Sequence, residues 1–138
     1  MSNASNKELV VTLLGAFETL DTATMDEVLA ADVDWEIPGD PELFALAGNL
    51  AKEDLLGYLP LVFPNGIRIT PVAMTAEDGR VAVEAESAGI LADGFAYTNR
   101  YHFLFEVREG KVVTAREYCD TQRAAGMLAH MAAVPTTS

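Results

Sequence analysis

Hydrophobic positions in the first half of the chain recur mainly at helical spacing. The segment "SNKELVVTLLGAFETLD" predicts a first helix, and Ser5 with Glu8 forms a capping-box pattern at its start. Asp21 ends that helix, and "TATMDEVLAAD" predicts a second, short one. The segment "AKEDLLGYLPLVFPNG" predicts a third helix, which Pro60 kinks or shortens. The apolar stripe of the first helix consists of Leu9, Val10, Leu13, Leu14, Phe17 and Leu20.

From Ile67 onward the hydrophobic period changes to two, which predicts strands. Four strands are expected at about Ile67–Thr75, Arg80–Leu91, Phe95–Arg108 and Lys111–Cys119, joined by turns containing "EDG", "ADG" and "REG". Earlier, "VDWEIPG" alternates apolar and acidic residues and predicts a short strand ending at Pro38. The segment "GDPELFALAGN" predicts a loop, with a strand through Leu43 to Leu46 as the alternative. The tail "QRAAGMLAHMAAV" predicts a closing helix, and "PTTS" should fray.

Helices followed by a long antiparallel meander are typical of an α+β fold. We expect a cone-shaped, curved antiparallel or mixed β-sheet with about three helices packed on its concave face, enclosing a pocket. A chain of 138 residues, half of them hydrophobic, fits a single domain over residues 1–138 with its core within 5–130 and short frayed termini.

The charge and the cysteine content indicate which partners and which cellular compartment to expect. The formal net charge is −12, so nucleic acid and anionic membrane surfaces are not expected as partners. No apolar run reaches membrane-spanning length, and the N-terminus does not look like a signal peptide. The single Cys119 excludes an internal disulfide and is typical of a reducing compartment, so we predict a cytoplasmic location. His102, His130 and Cys119 show no metal-site spacing, and we expect neither a metal nor a cofactor.

The "REG" turn sets a predicted register for the last hairpin. A three-residue loop would pair Tyr101 with Glu117 and Asn99 with Cys119. Paired residues share a face, so one face is apolar near the turn and polar at its far end, which is the arrangement of a ligand pocket. That face would hold Asn99, Tyr101, Phe103, Phe105, Val113, Ala115, Glu117 and Cys119, and the opposite face Arg100, His102, Glu106, Arg116, Tyr118 and Asp120.

The preceding hairpin decides where two further acids lie. A two-residue Asp93-Gly94 turn would pair Glu86 with Tyr101 and Glu84 with Phe103, which adds both glutamates to the pocket face. A three-residue turn would reverse them, because a slip of one residue moves every side chain to the other face.

The stretches "DVDWEIPG", "YTNRY", "EGKVV" and "REYCDT" resemble the nuclear transport factor 2-like superfamily, in particular its SnoaL-like polyketide cyclase branch. Ketosteroid isomerases and limonene epoxide hydrolases are relatives of that branch. The resemblance covers roughly Leu9 to Leu128. It implies a cone-shaped fold with a hydrophobic-lined cavity, usually dimeric through the outer sheet surface.

The resemblance also implies candidate chemistry. In SnoaL-type cyclases a carboxylate on the last strand acts as acid and base beside polar residues of the neighbouring strand, and Glu117 beside Asn99 and Tyr101 matches that layout. The Asp-Arg-Asp positions of the epoxide hydrolases fall on Glu86, Glu84 and Glu117, so the arginine is missing. The ketosteroid isomerases carry their base before a proline, where this chain has Ile37.

We therefore interpret the chain as a protein that binds a hydrophobic small molecule, and as a candidate cofactor-independent isomerase or cyclase for a hydrophobic carbonyl or polyketide-like substrate. Glu117 and Glu86 would form an acid–base pair with separated pKa values, and Tyr101 would donate to the developing oxyanion. The expected ligand-binding residues are Asn99, Trp35, Glu84, Phe103, Cys119 and Tyr97.

Other interpretations of the same residues stay open. The domain could be a non-catalytic ligand-binding or dimerisation module, or an epoxide hydrolase if Arg100 or Arg68 reaches the Glu86–Glu117 pair. Glu117 could be a buried structural acid paired with Arg100 or Arg116, and Asn99 and Tyr101 could satisfy each other and the backbone at the cavity wall. We expect His102 at a homodimer interface, Asp120 as the cap of the last helix, and an unreactive thiol at Cys119.

Overall fold

The computed structural model describes residues 2–131, so the predicted fraying of "PTTS" lies outside the described residues. The helices are α1 Asn3–Thr19, α2 Thr22–Val28, α3 Lys52–Val62 and α4 Thr121–Met131. The strands are β1 Leu29–Ile37, β2 Gly48–Leu50, β3 Ile67–Glu77, β4 Arg80–Ile90, β5 Ala96–Arg108 and β6 Lys111–Cys119. These strands form one open mixed sheet in the order β2-β1-β6-β5-β4-β3. The predicted α+β fold is confirmed.

All neighbouring strands are antiparallel except β1 and β6, which run parallel. Helix α1 packs against β3 and β4, α3 against β1, and α4 against β5. The fully buried core between these helices and the inner sheet face includes Trp35, Phe103, Phe105, Leu13, Leu14, Val81, Val83 and Val112. No helix within residues 2–131 has the length and apolar character needed to cross a bilayer.

The first two helices begin at hydrogen-bonding caps. Ser2 caps α1, and its side chain accepts from the Ser5 backbone while Ser5 bonds back to Ser2. The capping box predicted at Ser5 and Glu8 is therefore wrong by three residues. At α2, Asp21 accepts a hydrogen bond from the Thr24 backbone N–H at 3.1 Å, so the residue that separates the first two helices also starts the second.

The structure extends one predicted strand of the N-terminal half and adds a short one. The strand around Trp35 begins earlier, at Leu29, because the parallel pairing with β6 starts at Leu29 and Val112. The predicted loop is confirmed at Leu43 to Leu46, where the alternative strand does not form, and a short strand that was not predicted follows it at Gly48–Leu50. Phe44 in that loop is buried, so the apolar residues that suggested a strand include one that packs inward from a turn.

The β5–β6 hairpin keeps the predicted faces in a different register. Tyr101 lies opposite Cys119 and Phe103 opposite Glu117, two residues from the predicted partners. The turn is the two-residue Glu109-Gly110, both with positive φ, and a bulge follows it. A displacement of two residues preserves the side-chain face, but the bulge puts Val112 in the core in place of Val113.

The β4–β5 hairpin overturns the prediction for two acids. Three residues, 92–94, lie between Leu91 and Phe95, whose backbone groups are joined by a hydrogen bond from the Leu91 N–H to the Phe95 carbonyl, so the turn is the three-residue alternative. Glu84 therefore pairs with His102, and Glu86 with Arg100. Both glutamates are exposed on the outer face, so their predicted position in the pocket is wrong.

Candidate functional site

A cavity of about 90 Å³ lies between the inner face of the sheet and the helices α3 and α4. Its polar side chains are Glu117, Tyr58, Tyr97, Tyr101 and Cys119. Its apolar lining includes Phe17, Trp35, Ile37, Phe44, Leu46, Leu50, Leu55, Leu59, Phe63, Ile67, Ile69, Phe103, Ala124 and Met127. An engineered cavity of about 150 Å³ holds benzene. The present cavity is smaller than that, so even a benzene-sized ligand requires the wall to open.

Glu117 is the one carboxylic acid among the residues that line this cavity. Strand β6 carries it beside Phe103 of β5, and its Oε1 accepts a hydrogen bond from Trp35 Nε1 at 3.0 Å. No other residue within 2–131 donates a hydrogen bond to this carboxyl. Burial raises the pKa of Glu117 to about 7, although the hydrogen bond from Trp35 lowers it in part.

The proposed arginine partners of Glu117 lie elsewhere. Arg100 is 3.7 Å from Glu86 on the outer face. Arg116 lies 3.3 Å from Glu36 and 3.9 Å from Glu106. The interpretation of Glu117 as a structural acid paired with an arginine is therefore wrong.

Trp35 is held in a fixed orientation by three phenylalanine rings. Its indole meets Phe17, Phe103 and Phe105 edge to face, with ring centroids 5.9, 6.3 and 5.9 Å away. The residue is 2% exposed. The indole N–H consequently points at Glu117 from a rigid wall.

Three tyrosines contribute hydroxyl groups, each with a different partner. The Tyr101 hydroxyl lies 2.9 Å from Ser87 Oγ, and either oxygen can donate. Tyr97 accepts from Asn99 Nδ2 at 2.6 Å, and Tyr58 on α3 donates to the sulfur of Met131 at 3.5 Å.

All three phenols keep their protons near neutral pH. Burial raises the pKa of Tyr58 to about 12, with a smaller contribution from the charge of Glu117. Burial likewise raises the pKa values of Tyr97 and Tyr101 above their usual range. The cavity therefore presents phenols as hydrogen-bond donors beside a single carboxyl group.

Asn99 does not line the cavity, contrary to its predicted ligand-binding role. Its amide donates to the Tyr97 hydroxyl and to the Asp120 carbonyl, and its oxygen accepts from the backbone N–H groups of Arg100 and Asp120. This uses the full hydrogen-bonding capacity of the side chain. Asn99 therefore anchors the end of β6 where α4 begins.

Asp120 caps α4, as the sequence predicts. Its Oδ1 accepts from the backbone N–H groups of Gln122 and Arg123 at 3.0 and 3.3 Å. Cys119 lines the cavity, and burial, followed by the charge of Glu117, raises the pKa of its thiol to about 11. A neutral thiol is a poor nucleophile, so the structure offers no support for a nucleophilic role.

The predicted site is thus brought together in part. Glu117, Tyr101, Trp35, Phe103, Cys119 and Tyr97 meet at the cavity, whereas Glu84, Glu86 and Asn99 do not. Tyr58 belongs to the site and was missed. Its position three residues after Leu55, on the apolar face of the predicted third helix, was the available signal. Within residues 2–131, no group of three or more His, Cys, Asp or Glu side chains could hold a metal ion.

The sequence profile of the SnoaL-like domain family matches residues 10–115. The chain belongs to this family. None of the curated proteins matches it in sequence.

Solved structures share the fold of this SnoaL-like protein. An NTF2-like protein of unknown function from Burkholderia pseudomallei K96243 is 21% identical, with a TM-score of 0.75 over 92% of this chain and 98% of that one. TerC, co-crystallised with polyporic acid, is 21% identical, with a TM-score of 0.75 over 91% and 98%. An LEH-like epoxide hydrolase from M. tuberculosis is 18% identical, with a TM-score of 0.73 over 94% and 93%. At these identities the likeness shows the fold alone.

The arrangement expected for an epoxide hydrolase is absent from this cavity. Of its three expected positions only Glu117 faces inward, because Glu84 and Glu86 are exposed on the other side of the sheet. Arg68 pairs with Glu18 at 3.0 Å and Arg100 with Glu86. Neither arginine lines the cavity, so the condition for the epoxide hydrolase interpretation is not met.

Proposed function

We propose that this SnoaL-like protein binds a small hydrophobic carbonyl compound in its cavity and transfers a proton on it, as a cofactor-independent isomerase or cyclase. The observation that carries the proposal is a single carboxyl group, Glu117, in an apolar cavity with its pKa raised to about 7. A general acid–base works best when its pKa lies near the operating pH, and such groups typically contribute about 10²–10⁴-fold in rate.

The proposed reaction starts with ionised Glu117. Its carboxylate takes a proton from the carbon beside the carbonyl group, and the C–H electron pair moves to form an enolate. For an isomerisation, the protonated Glu117 returns the proton to a different carbon of the enolate. For a ring closure, the enolate carbon attacks a second carbonyl, and the resulting alkoxide takes the proton.

Hydrogen bonds from phenols would stabilise the enolate oxygen. Tyr101 can do so when Ser87 donates to its hydroxyl, because the phenol proton is then left for a ligand. Tyr58 has only a thioether sulfur, a weak acceptor, as its partner within residues 2–131. Tyr97 accepts from the Asn99 amide, which likewise leaves its own phenol proton free for a ligand.

A non-catalytic ligand-binding module is the second candidate, and a specific observation favours it. The cavity of about 90 Å³ is well below the roughly 300–1,000 Å³ of typical small-molecule sites. Only one carboxyl group faces it, where the sequence predicted two. The homodimer implied by the resemblance stays a prediction, which sedimentation velocity at several protein concentrations tests.

Hydrogen exchange into small ketones tests the catalytic proposal without knowledge of the natural substrate. Cyclohexanone and 2-cyclohexenone are incubated with the protein in D₂O, and loss of the signal beside the carbonyl is followed by NMR. We expect exchange above the buffer rate, rising with pH around a midpoint near 7. Glu117→Gln should lose about 10²-fold or more, while the outer-face control Glu86→Gln should match the wild type.

Ligand binding is measured in parallel through the fluorescence of Trp35, the only tryptophan and part of the cavity wall. Saturable binding by the wild type and by Glu117→Gln, without exchange by either, would establish the binding-module alternative. Exchange that survives in Glu117→Gln would refute the role of Glu117.

A further inference from the structure

We propose that Trp35 is a positioning residue for Glu117: its indole N–H holds Oε1 and thereby leaves Oε2 as the oxygen that exchanges a proton with the ligand. This inference rests on the proposed function, and it assigns to the indole of Trp35 the role of orienting the acid–base residue Glu117. Trp35 itself need not touch the reacting atoms.

The geometry of the two strands places the pair in contact. Trp35 of β1 is the parallel partner of Ala115 on β6, and Glu117 follows two residues later on the same face. Trp35 Nε1 lies 3.0 Å from Glu117 Oε1. The three surrounding phenylalanine rings prevent the indole from turning away.

The chemistry of the indole decides which oxygen carries the proton. An indole N–H can donate a hydrogen bond but cannot accept one. Oε1 therefore acts as an acceptor whether Glu117 is ionised or neutral. The carbonyl oxygen of a neutral carboxyl accepts better than its hydroxyl oxygen, so the acidic proton is favoured on Oε2. Within residues 2–131, Oε2 has no hydrogen-bond donor of its own, and the side chain lines the cavity.

The same hydrogen bond adjusts the proton affinity. Burial raises the pKa of Glu117, and the indole N–H opposes this by stabilising the ionised form. Without the indole N–H, the Glu117 carboxyl would stay protonated to higher pH, and a smaller fraction of it would be ionised and able to act as a base at neutral pH. Trp35 thus supports both the orientation and the availability of the carboxylate.

The single tryptophan allows a precise test in the full chain. Biosynthetic replacement of tryptophan by 3-benzothienylalanine exchanges the N–H for sulfur and keeps the bicyclic shape. The titration of Glu117 is followed by NMR of ¹³C-labelled glutamate carboxyls, with the signal assigned by its loss in Glu117→Gln. We expect a wild-type midpoint near 7 and an upward shift of about one unit or more in the sulfur analogue.

Two further variants separate the hydrogen bond from packing. Trp35→Phe also removes the N–H and should shift the midpoint upward. Phe105→Leu loosens the packing on Trp35 but keeps the N–H, so its midpoint should not rise. In the ketone exchange assay at pH 7, the sulfur analogue should lose about fivefold or more in kcat with little change in KM, because a rise of about one unit in pKa lowers the ionised fraction of Glu117 from about one half to about one eleventh.

The outcomes distinguish the inference from the proposed function. A wild-type midpoint near 4.5, the ordinary value for glutamate, would refute the proposed function itself. A wild-type midpoint near 7 that stays unchanged or falls in the sulfur analogue would overturn the role of Trp35 alone. An equal rise in Phe105→Leu would also overturn it, because packing would then explain the effect.

Discussion

Replacing Glu117 with glutamine should stabilise the folded protein at alkaline pH, although it removes the proposed acid–base group. Glutamine has nearly the same shape, and its carbonyl oxygen can still accept from Trp35 Nε1. The carboxylate, in contrast, must remain charged in a mostly apolar cavity. The wild type therefore carries an energetic cost that the variant lacks.

The magnitude follows from the pKa of Glu117, which burial raises from 4.5 to about 7. At 1.36 kcal/mol for each unit of pKa, a difference of about 2.5 corresponds to about 3 kcal/mol. This is an upper bound, because the amide group of glutamine also loses contact with water.

The pH dependence has a definite sign. Well below pH 4.5 both the folded and the unfolded states hold the proton, so Glu117 contributes no difference in stability. Between about pH 4.5 and 7 the unfolded state loses its proton first, so the free energy of unfolding falls as the pH rises. Above about pH 7 both states are ionised and the cost is constant.

Urea unfolding of the wild type and of Glu117→Gln at pH 5 and pH 9 measures this difference. We expect the variant to be more stable by up to about 3 kcal/mol at pH 9 and by less than about 1 kcal/mol at pH 5. Glu86→Gln on the outer face should change stability by no more than about 0.5 kcal/mol at either pH. An equal advantage of Glu117→Gln at both pH values, or a variant less stable than the wild type at pH 9, would refute a cost of burying the ionised carboxylate.

Two more predictions concern the neighbours of Glu117. Cys119 should react with iodoacetamide at pH 8 at least about 100-fold more slowly than a free thiol, because its pKa is raised to about 11. Glu117→Gln should speed the reaction, because it removes a nearby negative charge. If Cys119 of the native protein reacted as fast as free cysteine, its thiol would not be buried. Asn99→Ala should lower the free energy of unfolding by about 1–3 kcal/mol, because it removes the hydrogen bonds of the Asn99 amide to the Tyr97 hydroxyl and to the Arg100 and Asp120 backbone, although the Asp120 backbone keeps its bonds to Arg100 and Ala124. Thr98→Ala on the outer face is the control in urea unfolding, and equal losses in the two variants would rule out the anchoring role of Asn99.

Most of the sheet could be predicted because its signals are local. Alternation of apolar and polar residues marks each long strand, and glycine-containing turns mark the ends. The face of Glu117 was predicted despite a wrong register, because the two-residue displacement in the β5–β6 hairpin preserves which side chains point inward. The capping role of Asp120 is also a local property of the chain.

The predicted positions of Glu84 and Glu86 depended on the length of the turn between β4 and β5, which the sequence does not determine. The Asp93-Gly94 pair suggests a tight turn, yet the hairpin closes through Leu91 and Phe95 instead. The observed pairing of β4 with β5 is displaced by one residue from the predicted pairing. This displacement moves both glutamates to the outer face and removes the second carboxyl from the site.

Contacts between distant segments were beyond local reasoning. The hydrogen bond from Trp35 to Glu117 joins residues 82 positions apart, and it depends on the parallel pairing of β1 with β6. The sequence around either residue does not predict that pairing. Tyr58 was missed for a related reason, because a tyrosine on an amphipathic helix gives no sign of which carboxyl lies across the core.

The parallel pairing of β1 with β6 can form only late in synthesis. The first long strand leaves the ribosome early, but its neighbour in the centre of the sheet is the last strand to be made. Contacts that close such long loops form slowly. A nascent chain halted before residue 111 would carry β1 without its central neighbour, with the Trp35 ring exposed to chaperones and to aggregation.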